Sequence, residues 1–557
     1  MFRHRRVLWA ASLCALALAG CNEHPLKTVR LQSQLEIGTN LPVHVNRDVD
    51  ILFVIDNSRS MADEQRILSA NFERFIAALE HEDVRANYRI GVTTTDVGNP
   101  ACLGQNHTSP ENGKLQISSC RDRLDQFEFP GDDQRDACLS VCPREGFETT
   151  PTVALDGERI PRRWLENNYG ELNVPSGWNA AEAFGCFGPQ GIVGCGFESP
   201  LEAMRNALSL TDDANSHSYG FLRDDAILAV VLVTDEYDCS HNPEFREIFT
   251  TANDQFLPDG ANGPTSAICW HAGVSCRGDG QPFEACHSVD LDIHGNPVDP
   301  DAAEDQAVLH PVSRYVDVLR DIERRKQHRD PNQRVIVSVL SGVPRGYATL
   351  EEELYYVEAQ SEDQAEQFAV EPGCVGDQQQ AYPPVRLREF AESFPPVRED
   401  RSNLYSICAD DYSGALDAVA DEIIEQLRPG CFPGCARDLD PHREGLQSDC
   451  KVVATGEGED ISVPECERDD DGHYVREDDR YVVPPGSDQC YALRTDPDGE
   501  VTPDPHDDLH PDCTSQGRNL QFDVERHGGS DLSRSSDLEV SCQLSPTPDL
   551  DCPRARM

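Results

Sequence analysis

Oxygen-bearing side chains directly follow two apolar runs that lie far apart in the chain. The first run, residues 51–55, is followed by a D-x-S-x-S sequence, and the second, residues 226–233, is followed by Thr-Asp. Carboxylate and hydroxyl oxygens, without His or Cys, suit Mg²⁺, Mn²⁺ or Ca²⁺ and disfavour zinc and copper. The pattern therefore predicts a site for a divalent cation. Its candidate ligands are Asp56, Ser58, Ser60 and Asp235.

A parallel sheet would bring these two positions together. Residues 51–55 and 226–233 are continuously apolar and β-rich, which is typical of strands buried on both faces of such a sheet. In an open α/β sheet, ligands bind beyond the carboxyl ends of the strands, where the strand order switches. The serines lie in the turn that enters the next helix, where Ser and Asp are also common as helix caps. A capped helix start without a metal is the alternative interpretation of D-x-S-x-S.

Strand-like and helix-like segments alternate from about residue 49 to residue 428. Apolar residues at helical spacing predict helices within 62–80, 200–209, 312–322 and 416–427. Apolar, β-rich runs predict strands at 51–55, 88–93, 226–233, 334–340 and 404–408. This alternation implies right-handed βαβ crossovers. The predicted fold class is α/β, with a doubly wound, mostly parallel sheet and helices on both faces.

Three long stretches interrupt this alternation, near 97–195, 237–305 and 345–402. Structureless loops of such length are rare in compact domains and need staples of their own. All but one or two of the twelve cysteines between Cys102 and Cys408 lie in these stretches or at their edges. We therefore expect the three stretches to be disulfide-stapled insertions in a domain formed by the first part of the chain, residues 49–428.

The remaining cysteines predict a second, smaller domain. Eight of them lie between Cys431 and Cys552, and helical periodicity disappears from Cys431 onward. Both sets, of twelve and of eight, are even, so an exported chain would close up to six and up to four disulfides within them. The spacing leaves the pairing open. Residues 429–557 are thus predicted to form a cysteine-rich, acidic β domain.

The first residues predict export. Residues 1–20 combine early arginines, an apolar stretch and small residues, which is typical of a secretory signal peptide. The apolar stretch is shorter than the roughly 20 residues that span a bilayer. The sequence LAGC at 18–21 resembles the bacterial lipobox, which implies a lipid anchor on Cys21 and a linker over 21–48, and Asn22 favours the outer membrane. The alternative is a secreted protein without the lipid.

The charge of the chain argues against nucleic acid as a partner. Asp and Glu number 100 against 48 Lys and Arg, a formal net charge of −52. Such a field repels phosphate backbones and attracts cations. The sequence also lacks H-E-x-x-H, G-x-S-x-G and the P-loop pattern G-x-x-x-x-G-K-S/T. No catalytic residue is predicted, and we expect the protein not to be an enzyme.

From residue 49 to about 428 the chain resembles the von Willebrand factor A-type domain, which binds partners through its metal-ion-dependent adhesion site. The resemblance rests on residues 50–61, on the second strand and on residues 230–235. It implies Mg²⁺ as the most favoured metal, and an acidic group of a protein or surface partner at an open coordination position. The ligands that it implies are Ser58 and Ser60, directly, and Asp56 and Asp235, directly or through water.

The third ligand motif of that family differs in this chain. The family has Gly-Gly-Thr before a helix, whereas here Gly-Phe-Glu-Ser at 196–199 precedes the helix predicted from residue 200. Glu198 stands where the threonine is expected, and Ser199 is the substitute ligand if the loop shifts by one residue. A carboxylate at this position adds negative charge that an acidic partner must overcome, which puts the usual docking mode in question.

Within the family, the chain is similar to cysteine-rich, lipid-anchored members of myxobacterium-like bacteria, on D-E-x-D-C-S at 235–240 and Y-S-I-C at 405–408. We therefore expect a lipid-anchored cell-envelope protein that binds a divalent cation and mediates adhesion to a protein or surface. One alternative is a structural scaffold of the cell surface, in which Glu198 completes the shell of an enclosed ion. An enzyme with its site in the insertions ranks lowest.

Overall fold

The computed structural model of the chain describes most of residues 41–552. Within that span it describes all residues except 44–46, 82–83, 103–108, 155, 169, 252, 259, 329, 331–332, 377–378, 397, 399, 428–429, 441, 443–445, 456–460, 470–471, 478–479, 497–507, 527–536 and 549–551. The predicted signal peptide, residues 1–20, and the candidate lipid anchor Cys21 lie outside the described residues.

The described residues form strands, α-helices and short 3-10 helices. The strands are β1 (Leu41–Val43), β2 (Asp48–Ile55), β3 (Asn87–Thr94), β4 (Glu128–Phe129), β5 (Asp132–Asp133), β6 (Pro151–Val153), β7 (Arg159–Pro161), β8 (Leu165–Asn168), β9 (Glu171–Leu172), β10 (Ile227–Val233), β11 (Val274–Arg277), β12 (Ala285–Ser288), β13 (Ile336–Ser341), β14 (Cys374–Val375), β15 (Gln380–Ala381), β16 (Leu404–Ser406), β17 (Gly430–Cys431), β18 (Cys450–Thr455), β19 (Ile461–Val463), β20 (Arg476–Glu477), β21 (Arg480–Tyr481), β22 (Gln489–Arg494), β23 (Gln521–Arg526) and β24 (Asp537–Cys542). The α-helices are α1 (Ala62–Ala70), α2 (Phe72–Glu80), α3 (Asp136–Leu139), α4 (Ala180–Phe187), α5 (Pro200–Asp212), α6 (Ala267–Gly273), α7 (Ala303–Gln306), α8 (Val312–Gln327), α9 (Glu362–Phe368), α10 (Val385–Glu392), α11 (Ser413–Gln426) and α12 (Pro511–Ser515). The 3-10 helices are Arg59–Met61, Pro100–Cys102, Cys120–Phe127, Pro243–Phe249 and Pro300–Ala302.

A seven-stranded sheet forms the centre of the fold, in the order β16-β13-β10-β2-β3-β8-β9. The five strands from β16 to β3 are parallel, as predicted. β8 pairs antiparallel with β3, and β9 pairs antiparallel with β8; both come from the stretch 97–195, which was predicted to be an insertion. The mixed α/β class and the mostly parallel sheet are therefore confirmed, and one insertion contributes two strands to the sheet.

Helices cover both faces of this sheet, and each of them buries apolar side chains against it. On one face, α1, α2, α4 and α11 pack against side chains such as Phe53 and Ile55. On the other face, α5, α8 and α10 pack against side chains such as Leu52 and Val54. Successive residues of β2 thus enter two different cores, which is the pattern of a strand buried on both sides.

The helix predicted over 62–80 is two helices. α1 ends at Ala70, and α2 begins at Phe72. Between them Asn71 donates to the carbonyl of Ile67 with both its backbone N–H, at 3.1 Å, and its side-chain Nδ2, at 2.9 Å. An asparagine side chain that binds the backbone in this way competes with the helical pattern, which accounts for the break.

Ten disulfides cross-link the described residues. The six in the first part of the chain are Cys102–Cys195, Cys120–Cys138, Cys142–Cys186, Cys239–Cys269, Cys276–Cys286 and Cys374–Cys408. The four in the last part are Cys431–Cys513, Cys435–Cys552, Cys450–Cys542 and Cys466–Cys490. Each set closes on itself, and the first set staples the three stretches that interrupt the sheet.

Residues 41–43, which were predicted to belong to a linker, form a strand. β1 pairs with β24 in the four-stranded sheet β1-β24-β18-β19, whose other strands come from the last part of the chain. Arg47 and Arg85, which precede β2 and β3, each lie 3.7 Å from an acid of β23, Asp523 and Glu525 respectively. The last part of the chain therefore contacts the amino edge of the central sheet. No helix among the described residues is long and apolar enough to cross a membrane.

Candidate metal centre

Asp56 lies at the carboxyl end of β2, the middle strand of the sheet, and is fully buried. Its backbone N–H donates to the carbonyl of Val233 at 2.9 Å. One carboxylate oxygen accepts a hydrogen bond from the backbone N–H of Ser58 at 2.7 Å, and the other accepts one from the hydroxyl of Thr234 at 2.6 Å. The structure thus brings together the two strand ends that the sequence singled out.

These strand ends also flank the switch in strand order. From β2 the chain continues to β3 on one side and returns later to β10 on the other side. Loops that leave neighbouring strands in opposite directions open a crevice at the carboxyl edge, which is where open α/β sheets bind ligands.

The hydroxyl oxygens of Ser58 and Ser60 are 3.2 Å apart in the turn after β2. Ser58 is 3% exposed, whereas Ser60 is exposed. The side chain of Ser58 does not cap the 3-10 turn Arg59–Met61, and Met61 does not cap α1. The hydroxyls are thus not used as helix caps, which argues against the capped-helix interpretation.

Asp235 follows Thr234 at the end of β10 and is 3% exposed. Its carboxylate interacts with the hydroxyl of Ser60. Its Oδ1 atom has no hydrogen-bond partner among the described residues. The backbone carbonyl of Asp235 accepts from the N–H of Tyr382 at 2.8 Å, so a residue of the stretch 345–402 fixes this turn.

Glu198 and Ser199, the two alternatives for the third motif, are oriented differently. Glu198 is fully buried; one of its carboxylate oxygens accepts from the hydroxyl of Thr95, and its Oε1 atom has no partner among the described residues. The hydroxyl of Ser199 instead donates to the carbonyls of Cys239, at 3.2 Å, and Phe197, at 3.4 Å. Of the two side chains, only Glu198 has an oxygen without a hydrogen-bond partner.

Close backbone contacts hold the loop before Glu198 against the turn after β2. The N–H of Gly194 donates to the carbonyl of Asn57 at 2.8 Å. A Cβ atom at position 194 would lie 2.2 Å from Oδ1 of Asn57, so this approach requires glycine. Gln65 of α1 donates to the carbonyls of Asp56, at 2.8 Å, and Gly191, at 2.9 Å. No local sequence pattern predicts this role of Gln65, because its contact with Gly191 joins residues that are far apart in the chain.

The turn after Asp235 caps α5, whose own first residues provide no side-chain cap. Asp238 accepts from the backbone N–H of Leu201 at 3.3 Å, and the hydroxyl of Ser240 accepts from that of Glu202 at 3.0 Å. Arg386 forms a buried ion pair with Asp238 at 3.0 Å. These contacts tie the loop of Glu198 to the strand of Asp235, which fixes the two carboxylates relative to each other.

The carboxylates of this edge resist ionisation. Burial raises the pKa of Asp56 to about 6. Burial also raises the pKa of Glu198 and of Asp235 well above their usual range, and the nearby charge of Asp56 adds to the effect in both. Burial raises the pKa of a fourth acid, the partly exposed Glu236, to about 8. Among the described residues, no Lys or Arg forms an ion pair with any of the four.

The donor set fits a hard divalent cation. All the donors are carboxylate or hydroxyl oxygens, and two buried oxygens, of Glu198 and Asp235, have no partner among the described residues. In that part of the chain, no three His, Cys, Asp or Glu side chains lie close enough together to hold a metal ion by themselves. Coordination at this edge would therefore depend on the hydroxyls of Ser58 and Ser60 as well as on the carboxylates.

An open cleft of about 520 Å³ lies over this edge. Ser58, Ser60 and Glu236 line it, and Phe129 and Asp132 of the hairpin β4–β5 form part of its wall. Glu236 was not among the predicted site residues, although its position next to Asp235 in the sequence is a signal that could have identified it. No comparable sequence signal predicts that the hairpin β4–β5 contributes to the wall of the cleft.

Comparison with known proteins gives weak similarities. No protein-family model matches the chain, and no curated protein matches it in sequence. The structure is similar to the pilus adhesin SpaC from Lactobacillus rhamnosus GG in an open conformation, with 9% identity over 90% of this chain and 39% of that chain, and a TM-score of 0.27. It is also similar to the pilus adhesin RrgA from Streptococcus pneumoniae, with 8% identity over 91% of this chain and 58% of that chain, and a TM-score of 0.22. The chain thus spans less than two thirds of either adhesin, and similarity at this level does not establish a shared fold.

Proposed function

We propose that this protein binds a divalent cation at the carboxyl edge of its central sheet and, through the cation, an acidic group on a protein or surface partner. The observation that supports this proposal is the group of three buried carboxylates, Asp56, Glu198 and Asp235, beside two serine hydroxyls and without a cationic partner among the described residues.

Electrostatics favours a cation at this edge. Burying a carboxylate without an opposite charge costs several kcal/mol, so such a group either stays protonated or acquires a cation. Asp56 and Asp235 together carry two negative charges when ionised, which one divalent cation balances. The unpartnered oxygens of Asp235 and Glu198 are available to it without the loss of an existing hydrogen bond.

The donors favour Mg²⁺, with Mn²⁺ and Ca²⁺ as the alternatives. Mg²⁺ is bound through one or two carboxylates and keeps several waters, whereas Ca²⁺ takes six to eight oxygens. The proposed protein ligands are Asp56, Ser58, Ser60 and Asp235. Such a small set leaves coordination positions for water or for an oxygen of a partner.

The cleft supports ligand exchange at the cation. Ser60 is exposed, and both serines line the cleft of about 520 Å³. An ion held by these hydroxyls would face solvent on that side. A carboxylate of a partner is the natural additional ligand, because it is both a hard donor and negatively charged.

A specific observation favours the second candidate function, a metal-stabilised scaffold. Glu198 is fully buried and has a free oxygen at a position where the A-type family has a threonine. If Glu198 completed the shell, the ion would be enclosed and would stabilise the fold without binding a partner.

We further propose that the protein is held on the outer membrane by a lipid on Cys21 and that it is not an enzyme. The ten disulfides of the described residues suit an oxidising compartment, as expected after export. The lipidation itself rests on the lipobox, since Cys21 lies outside the described residues.

Titration calorimetry tests the cation site. Heats of binding for Mg²⁺, Mn²⁺ and Ca²⁺ should be measurable for the wild type and lost in the double variant Asp56→Ala, Asp235→Ala. The matched control is Asp321→Ala on α8, where the side chain is 66% exposed and the heats should be unchanged. Equal heats in the wild type and the double variant would contradict the proposal.

Water relaxation separates adhesion from the scaffold. Bound Mn²⁺ speeds the relaxation of bulk water protons only if it carries an exchanging water. We expect a clear enhancement in the wild type, because the proposed ion faces the cleft. Tight Mn²⁺ binding with no enhancement would indicate an enclosed ion and would favour the scaffold.

A further inference from the structure

Arg59 lies between the two serines of the candidate site and is held by the hairpin β4–β5. Its Nε donates to Oδ2 of Asp132 at 3.1 Å, and its guanidinium carbon lies 4.7 Å from the centre of the Phe129 ring. Both contacts come from a part of the chain that is 70 or more residues away in sequence. They fix a positive charge at the wall of the cleft.

The outer nitrogens of Arg59 are available to a ligand. Among the described residues, only Nε of its guanidinium is hydrogen-bonded, and the side chain is 56% exposed. A guanidinium has five N–H donors in a planar fork that matches a carboxylate. The same cleft is lined by the hydroxyls of Ser58 and Ser60, so these donors lie beside the proposed cation.

The positive charge of Arg59 is important because several acids lie in or near the cleft. A divalent cation neutralises Asp56 and Asp235, but Glu198 and Glu236 can add further negative charge, which repels an incoming carboxylate. Arg59 is the only cationic side chain among the described residues that line the cleft. Its charge is already paired with Asp132, which also lines the cleft, so it assists an acidic partner through the outer N–H groups that Asp132 does not contact.

We propose that Arg59 is the specificity-determining residue of the cleft: it binds the second oxygen of a partner carboxylate whose first oxygen contacts the cation. The partner is a protein that exposes an acidic residue next to an apolar one, because Phe129 and Ile192 supply apolar surface to the same cleft. This inference rests on the proposed function, since it requires a cation at the site.

The probe for the test is N-acetyl-Asp-Leu amide, added to the full chain loaded with Mn²⁺. Broadening of the leucine methyl lines in proton NMR spectra reports binding beside the ion, and a titration gives the affinity. We expect Arg59→Gln to weaken the probe at least about tenfold, because charge-assisted Arg–carboxylate bonds are among the stronger hydrogen bonds. Affinity for Mn²⁺ itself should not fall, because Arg59 is not a ligand of the ion.

One further variant keeps the test independent of folding. Arg59→Lys retains the charge and should retain part of the probe affinity. The control Arg66→Gln removes an arginine of α1 that pairs with Asp63 and does not line the cleft, so it should have no effect.

The outcomes distinguish this inference from the proposed function. If the wild type does not bind Mn²⁺, the proposed function fails. If Mn²⁺ binds but the wild type does not take the probe, or Arg59→Gln takes it equally well, only the inference about Arg59 is overturned. Equal binding of N-acetyl-Asn-Leu amide overturns recognition of the charge. Equal binding of N-acetyl-Asp-Gly amide or glucuronate overturns the choice of a protein partner with an apolar neighbour.

Discussion

The buried acids at the two ends of β2 have different hydrogen-bond and ion-pair partners. At the amino end, the buried Asp50 accepts from the backbone N–H of Arg223 at 2.6 Å and from its Nε at 2.9 Å. Arg223 also pairs with Asp48 at 3.1 Å. At the carboxyl end, Asp56 is equally buried, but its carboxylate accepts from neutral donors, the backbone N–H of Ser58 and the hydroxyl of Thr234, and also interacts with the carboxyl group of Glu198.

This difference indicates that Asp50 stabilises the fold, whereas Asp56 is available to a ligand. Where Asp50 is buried, the chain supplies its own counter-ion and leaves no free position. Beside Asp56, the chain adds Glu198 and Asp235 and supplies no cation among the described residues. We infer that the carboxyl edge depends on a cation from solution, whereas the amino edge is complete.

The largest expected effect comes from removing the counter-ion at the amino end. Arg223→Met removes the ion-pair partner of the buried Asp50, which should lower the free energy of unfolding by about 3–5 kcal/mol. The matched variant Asp56→Asn, in chelator, should not lower it, because the amide oxygen can still accept from the N–H of Ser58, the amide nitrogen can donate to the hydroxyl of Thr234, and no charge is left buried. Guanidinium unfolding measures both, and equal losses would show that the two ends do not differ.

The next effect is stabilisation by the cation. At a concentration one hundred times the dissociation constant, Mg²⁺ or Mn²⁺ should stabilise the wild type by about 2.7 kcal/mol. The double variant Asp56→Ala, Asp235→Ala should gain nothing. Thermal unfolding with and without the cation measures the difference. A gain of the same size in the double variant would place the cation at another site.

Without a cation, the contribution of the carboxyl edge to stability should fall as the pH rises from about 4.5 to about 8. The pKa values of Asp56 and Glu236, about 6 and about 8, exceed the values of 3.8 and 4.5 that are ordinary for these groups. The folded chain therefore binds more protons than the unfolded chain in this range, and stability is lost as these protons leave. For Asp56 alone, a shift of about two pKa units at about 1.4 kcal/mol per unit corresponds to roughly 3 kcal/mol, of which roughly 2 kcal/mol is lost between about pH 4.5 and about pH 8.

Thermal unfolding across this pH range, in chelator and in saturating Mg²⁺, tests the expectation. Mg²⁺ should flatten the profile, because the ionised carboxylates then bind the cation. A metal-free protein that becomes more stable towards pH 8 would contradict the assignment of these acids as unbalanced.

The smallest expected effect concerns the third motif. Ser199→Ala should leave the affinity for Mn²⁺ within about twofold, equivalent to less than about 0.5 kcal/mol, because its hydroxyl is bonded to the carbonyl of Cys239. Glu198→Gln should weaken Mn²⁺ more than this, because it removes a nearby negative charge. A larger loss with Ser199→Ala than with Glu198→Gln would reverse the orientation described for these two side chains.

The strands that carry the site could be predicted because their sequences are unambiguous. Residues 51–55 and 226–233 are long apolar runs, and a parallel sheet has a known ligand edge. Once β2 and β10 are neighbours, Asp56 and Asp235 must be close. The two apolar runs and the motifs that follow them were therefore enough to predict which turns meet.

Features that depend on distant contacts could not be predicted. β8 and β9 are short and partly polar, so their pairing with β3 is decided by tertiary contacts. The pair Arg59–Asp132 joins residues 73 apart, and no local pattern marks either partner. The break at Asn71 depends on one side chain that binds its own backbone, which apolar periodicity does not detect.

The pairing of β1 with β24 has a mechanical consequence. Tension that enters the chain ahead of Leu41 reaches β1 first and is shared with the sheet that contains β24, which Cys450–Cys542 cross-links to β18. The remaining tension passes along β2, which is followed by Asp56, beside the proposed cation. A pull between the two ends of β2 therefore shears its hydrogen bonds to β3 and β10 all at once, the geometry in which a sheet resists force best.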